Sequence, residues 1–130
     1  MINKELFKQA FILLIIIGIL DLAGNILYLH WTLWWFDTVL HILGGFCVSL
    51  ATLSFLSSGT ENNKLKIIIL AIFVVFVVGI LWEIFELYFG LTFLSDGIYY
   101  WMDTTSDILA NTCGAFFSAL YSFKILSKSE

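Results

Sequence analysis

Long apolar stretches separated by short polar segments run along the whole chain. Four of them reach about 20 residues, the length at which an α-helix crosses the hydrocarbon core of a bilayer. They cover about residues 6–29, 37–56, 65–89 and 104–124. None alternates apolar and polar residues, as strands of a membrane β-barrel would. The pattern predicts an all-α fold, a polytopic membrane four-helix bundle forming a single transmembrane domain over residues 1–130.

The composition agrees with a membrane protein. Hydrophobic residues make up 61% of the chain and charged residues only 12%, whereas a soluble domain has about half and about a quarter. A chain of 130 residues could not bury this much apolar surface inside itself in water. We therefore predict membrane lipid as a partner, and the few basic residues exclude nucleic acid.

The basic residues predict the orientation. The chain has six lysines and no arginine. The lysines precede the first helix, join the second to the third and follow the fourth: Lys4, Lys8, Lys64, Lys66, Lys124 and Lys128. The positive-inside rule then places both termini in the cytoplasm. The five tryptophans fall at the opposite ends, as an interfacial aromatic belt would: Trp31, Trp34, Trp35, Trp82 and Trp101. We expect a multi-pass protein of the cytoplasmic (inner) membrane.

Polar residues recur at one depth, in the predicted outer third of each helix. Glu83 follows Lys66 by 17 residues, which is about 25 Å along a helix axis. The pairs Asp21–Asn25 and Asp37–His41 are four residues apart, so each pair shares one helix face. The third helix adds Glu83 and Glu86, and the fourth adds Asp103, Asp107 and Asn111. Because charges facing lipid are costly, we expect these faces to turn inward together.

The acids have no basic partner at that depth, which favours a bound cation, protonation or hydration. Asp37 and Asp103 have a simpler alternative role as helix N-caps. We predict that the metal ligands are Asp37, His41, Glu83, Glu86, Asp103 and Asp107. Among them, Glu83, Glu86 and His41 are the candidate catalytic residues, while Asn25, Asn111 and Trp82 are candidate substrate-binding residues. Carboxylate-rich ligands favour Mg, Mn or Ca over Zn. His30 is interpreted as an interfacial residue.

A short internal repeat links the second and fourth helices. The segments DTVLHILGGF (37–46) and DILANTCGAF (107–116) share an Asp, a Gly seven residues later and a Phe nine residues later. The position four residues after each Asp holds His41 in one segment and Asn111 in the other. The repeat suggests two helical hairpins related by an axis along the membrane normal.

These motifs also resemble known families. The patterns Asp37-x-x-x-His41 and Asp107-x-x-x-Asn111-x-x-Gly114-Ala115 are similar to VanZ-like membrane proteins. Glu83-x-x-Glu86, followed by Trp101-Met102-Asp103-Thr104-x-x-Asp107, resembles the YjdF-type uncharacterised inner-membrane proteins. The resemblance covers about residues 30–117. It implies a bacterial inner-membrane location, and the VanZ-like side implies a link to glycopeptide-antibiotic tolerance.

Three functions fit this pattern. The first is a metal-dependent enzyme that acts on an envelope lipid or a lipid-linked substrate from the outer face. The second is proton- or cation-coupled transport, because intramembrane acids commonly relay cations. The third is a non-catalytic membrane protein of envelope stress or antibiotic tolerance. A homo-oligomer is a further expectation, since it could supply a path across the membrane.

Overall fold

The computed structural model describes residues 2–56 and 64–126, and these residues contain helices and connections but no strand. Five α-helices follow one another: α1 Lys4–Ile26, α2 Leu29–Thr32, α3 Phe36–Leu56, α4 Lys64–Phe89 and α5 Ile98–Leu126. A 3-10 turn, Leu94–Asp96, lies between α4 and α5. The end of the bundle where α1 ends and α3 and α5 begin carries the tryptophans, and we call it the aromatic end. The opposite end is the lysine end.

Three of the helices are long and apolar enough to cross a membrane: Lys4–Ile26, Phe36–Leu56 and Leu65–Phe89. The fourth predicted span corresponds to α5, which has 29 residues but is not among those three within the described part of the chain. Its first half is polar because it carries Asp103, Asp107 and Asn111. That α5 also crosses the membrane stays a prediction.

Two helix ends differ from the predicted ones by three residues or more. The first helix ends at Ile26, three residues before the predicted 29, because Tyr28 adopts the left-handed conformation with φ 57°. A residue in that conformation cannot continue a right-handed helix. The last helix starts at Ile98, six residues before the predicted 104. It follows directly on Gly97, whose φ of 61° ends the preceding 3-10 turn.

The central pair of helices is α3 and α5, which run in the same direction. Equivalent parts of the repeat lie side by side, because a Cβ atom on Gly45 would collide with the backbone of Asn111. Likewise, a Cβ on Gly114 would collide with the backbone of Ile42. Glycine is thus what lets the two backbones touch, as small residues commonly do between membrane helices.

The other two long helices pack against this pair in the opposite direction. α4 turns a face of small side chains towards α3 and α5, with Ala71, Val75 and Gly79 all buried. α1 packs on α3, where the Cys47 thiol donates to the Ala10 carbonyl oxygen at 3.3 Å. At the lysine end α1, α3 and α4 share a cluster of buried apolar residues: Leu6, Ala10, Leu50, Leu53 and Ala71.

Much of the remaining surface is apolar. Phe11, Ile19, Phe73 and Phe117 each leave more than half of their surface exposed. An apolar surface of this extent is stable only against lipid or another apolar partner. The buried interior accordingly consists largely of small residues, a few leucines at the lysine end and polar groups along the bundle.

Candidate functional site

Three potential metal ligands converge at the aromatic end. One ligand atom each from Asp37, His41 and Asp107 lies within 4.8 Å of the other two. Nε2 of His41 is 3.5 Å from Oδ2 of Asp37 and 3.5 Å from Oδ2 of Asp107. The side chain of Asp107 is only 6% exposed and that of His41 11%, whereas Asp37 is 45% exposed. The group is therefore closed on the protein side and open beside Asp37.

The helices place these atoms without any long loop. Asp37 lies in the first turn of α3, and His41 follows one turn later on the same face. Asp107 comes from α5, at the position equivalent to Asp37 in the repeat. Because α3 and α5 run in parallel and touch at their glycines, the two aspartates flank one imidazole ring. The predicted repeat thus has a structural counterpart in the site.

Asn111 forms the floor of the site. Its Nδ2 lies 3.2 Å from Nδ1 of His41, the ring nitrogen that is not directed at the carboxylates. The amide lies against α4, since a Cβ on Gly79 would be 3.5 Å from Nδ2, an ordinary van der Waals distance. A cation on Nε2 would require a proton on Nδ1, and Asn111 would then accept that proton's hydrogen bond through Oδ1. Asn111 is therefore placed to hydrogen-bond Nδ1 of His41 in either tautomer.

Sequence reasoning missed His30. The structure packs its ring edge-on against Phe36; its position at the membrane interface stays a prediction. Nδ1 of His30 is 3.5 Å from Oδ1 of Asp37, and its Nε2 is 3.4 Å from Oδ1 of Asp21. Gly24 makes room for the ring, since a Cβ there would lie 2.9 Å from Nε2. The sequence does contain a signal for this position, because His30 lies in the connection between two helices that each carry an aspartate at that end.

His30→Gln should weaken divalent-cation binding about 10-fold or more, because residues that orient a metal ligand typically contribute that much to affinity. His30 contacts the carboxylate oxygen of Asp37 that faces away from His41. A titration of the purified protein with Mn²⁺ measures the change. Trp31→Phe, in the same short helix, is the control and should bind as the wild type does. Equal affinity in wild type and His30→Gln would contradict the assigned role.

The other three predicted ligands lie outside this group. Glu83 is buried, and its Oε2 accepts a hydrogen bond of 2.7 Å from Oγ1 of Thr104 on α5. Glu86 is half-buried, and its Oε1 accepts a hydrogen bond of 2.8 Å from Nε1 of Trp82. Asp103 is exposed. Asp103 is one helical turn from Asp107 and lines an open cleft of about 470 Å³. The residues that line this cleft are Thr92, Asp96, Tyr99, Tyr100, Met102, Asp103 and Ser106.

The candidate substrate-binding residues differ in their surroundings. Asn111 lies in the site, as described above. Nδ2 of Asn25 donates to the backbone oxygen of Asp21 at 3.0 Å, so this amide bonds to its own helix. Trp82 is about half exposed, and its Nε1 donates to Glu86, which lies outside the group of three ligands. Substrate binding by any of the three stays a prediction.

The fold and the family assignment agree on the class of protein, which is an α-helical integral membrane protein. The chain belongs to the family described as "Predicted membrane protein (DUF2238)", whose profile matches residues 4–128. The match confirms a membrane-protein family and does not single out the VanZ-like or YjdF-type proteins, so that finer resemblance stays a prediction. No curated protein and no solved structure matches the chain.

Proposed function

We propose that this membrane protein binds one divalent cation between Asp37, His41 and Asp107, and that the cation serves a metal-dependent reaction on a membrane lipid. The observation that carries the proposal is the convergence of three ligand atoms within 4.8 Å of one another. Three ligands from the protein leave coordination positions free for water or substrate, as in catalytic rather than structural metal sites.

Electrostatics supports a cation at this place. Every lysine that the sequence places on a long helix is at the lysine end, so the basic groups beside the site carboxylates are histidines, which carry a charge only when protonated. Asp107 is nearly completely buried, and a neutral His41 beside it would leave its negative charge uncompensated, which is costly. A divalent cation would neutralise Asp37 and Asp107 together and would be held by the imidazole nitrogen as well. One nitrogen and two carboxylate ligands suit Mn²⁺, or Mg²⁺ or Ca²⁺ with added water, better than a structural zinc site.

The open side of the site favours a substrate from the membrane interface. The group is exposed beside Asp37, and the cleft next to Asp103 opens at the same end of the bundle. If the lysine end is cytoplasmic, the substrate would be a lipid or a lipid-linked molecule of the outer leaflet. Glu86 is the candidate general base, because it is half-buried at this end and has one oxygen fixed by Trp82.

The reaction that these groups would support is hydrolysis of a lipid phosphate ester. Water adds to phosphorus, the bond between phosphorus and the ester oxygen breaks, and the proton that Glu86 takes from water passes to the departing alcohol. The cation would polarise the phosphoryl oxygen during this step. The contacts beneath the site favour a reaction over passage across the membrane, since the α3 and α5 backbones touch at Gly45 and Gly114.

Divalent cations should raise the midpoint of thermal unfolding of the detergent-purified protein, because a ligand of the folded state stabilises it by mass action. The unfolding midpoint is measured with Mn²⁺, Mg²⁺, Ca²⁺ and Zn²⁺ in turn, and a chelator should reverse each shift. The sizes of the shifts give the order of affinity. Asp96→Asn removes an exposed acid at the same end and should leave the shift unchanged. No shift with any of the four ions at millimolar concentration would remove the proposal.

A further inference from the structure

Glu83 has a buried oxygen with no partner. The residue is 5% exposed, and its Oε2 is occupied by the hydroxyl of Thr104. Its Oε1 is buried and has no hydrogen-bond partner within residues 2–56 and 64–126. A charged oxygen in that position loses its hydration without a compensating contact, which is unfavourable. Since the described residues supply no partner for this oxygen, a ligand from outside the chain can take that position.

The packing of α4 against α5 places Glu83 at the level of Asp107. One turn towards the lysine end, Gly79 of α4 meets the Asn111 amide of α5. On the aromatic side, Glu83 itself bonds to Thr104. Asp107 lies between Thr104 and Asn111 on the same face of α5, so it faces Glu83 across the interface, within range of its charge. Asp107 approaches His41 through Oδ2, which leaves Oδ1 for a second partner.

We infer that a second divalent cation binds between Oε1 of Glu83 and Asp107, beside the first one and bridged to it by the Asp107 carboxylate. The inference rests on the proposed function, because the first cation is the one held by Asp37, His41 and Asp107. In two-cation centres of enzymes that act on phosphate esters, the ions lie about 3.5–4 Å apart. A carboxylate between them is well suited to bridge that distance.

A second cation would also explain how a site with so many acidic residues can accept a negatively charged phosphate substrate. One divalent cation offsets two carboxylates and leaves Glu83, Glu86 and Asp103 to repel an anion. At the aromatic end, α3, α4 and α5 together carry five carboxylates: Asp37, Glu83, Glu86, Asp103 and Asp107. Two divalent cations offset the charge of four of them. A lipid phosphate can then approach both ions without facing a large excess of negative charge.

Calorimetric titration of the full-length protein in detergent with Mn²⁺ tests the inference through stoichiometry. The wild type should bind two Mn²⁺ per chain, and Glu83→Gln should bind one. Glutamine keeps the shape of the side chain and an oxygen for the Thr104 hydroxyl, so a Glu83 that serves only this hydrogen bond would make the variant bind as many ions as the wild type. Asp96→Asn is the matched control and should bind two.

Two further measurements keep the test decisive if Glu83→Gln fails to fold. Glu83→Asp retains the charge on a shorter side chain and should bind the second ion about 10-fold more weakly or worse. The electron paramagnetic resonance spectrum of the wild type at two equivalents should show the broadening of a coupled Mn²⁺ pair, and this broadening should be absent at one equivalent. A wild type that binds one ion overturns the second site and leaves the proposed function intact. A wild type that binds none overturns both, and two ions on Glu83→Gln overturn the role of Glu83.

Discussion

Asp107→Asn will abolish the cation-dependent rise in unfolding temperature and will lower Mn²⁺ affinity by about 100-fold or more, beyond what loss of a supporting residue costs. Asp107 is the most buried of the three ligands, and the amide that replaces it carries no charge. In the absence of cation, the variant should be at least as stable as the wild type, because a buried negative charge beside Asp37 and Glu83 has been removed. Thermal unfolding with and without Mn²⁺ measures both effects.

Asp107→Asn is thus expected to remove the stabilisation by Mn²⁺ but not the stability of the cation-free protein. This combination distinguishes a cation ligand from an acid with a purely structural role. An Asp107 that merely stabilises the bundle through His41 would make the cation-free variant less stable than the wild type, and Mn²⁺ would then have no effect on either protein. Asp96→Asn, in the 3-10 turn at the same end, controls for the general loss of one acidic residue. A variant that keeps the full Mn²⁺ shift would contradict the assignment of Asp107 as a ligand.

Gly45→Ala will lower the free energy of unfolding by about 1–3 kcal/mol, the usual cost of inserting atoms into a packed interface. The new methyl group would collide with the backbone of Asn111 rather than with a flexible side chain, so α3 and α5 must move apart. Because Asn111 supports His41, cation affinity should fall together with stability. Unfolding in detergent and an Mn²⁺ titration of the same samples measure the two effects.

The neighbouring glycine gives a matched control. A Cβ on Gly44 would lie 3.7 Å from Oδ1 of Asn111, an ordinary van der Waals distance. A Cβ on Gly18 in α1 would meet nothing within 4 Å. Gly44→Ala and Gly18→Ala should therefore keep the stability of the wild type. If Gly44→Ala and Gly45→Ala were equally destabilising, the contact between the α3 and α5 backbones would not be what holds the site together.

Hydropathy and helical rise were enough to predict the helices and the common depth of the acids. A run of 20 apolar residues has few alternatives to a helix in lipid, and counting 1.5 Å per residue fixes depth whatever the packing. The repeat in α3 and α5 predicted that Asp37 and Asp107 occupy equivalent positions, and the structure places both against His41. These features depend on spacing along one helix, which a sequence records directly.

The rotation of each helix about its axis was harder to predict. Lipid and the bundle interior are similarly apolar, so the sequence of α4 hardly distinguishes its inner from its outer face. Glu83 and Glu86 are three residues apart, yet Glu83 is buried against α5 while Glu86 bonds to Trp82. The position of His30 depends on the left-handed Tyr28 and on the space beside Gly24. Neither is visible in a hydropathy pattern.

The most direct test of the central claim is anomalous diffraction from crystals of the full-length protein grown with Mn²⁺. We predict an anomalous peak about 2.0–2.3 Å from Nε2 of His41 and from Oδ2 of both Asp37 and Asp107. Asn111 should then present its oxygen to Nδ1 of His41. A map with no peak between these three side chains at saturating Mn²⁺, or with the carboxylates turned away from His41, would contradict the account.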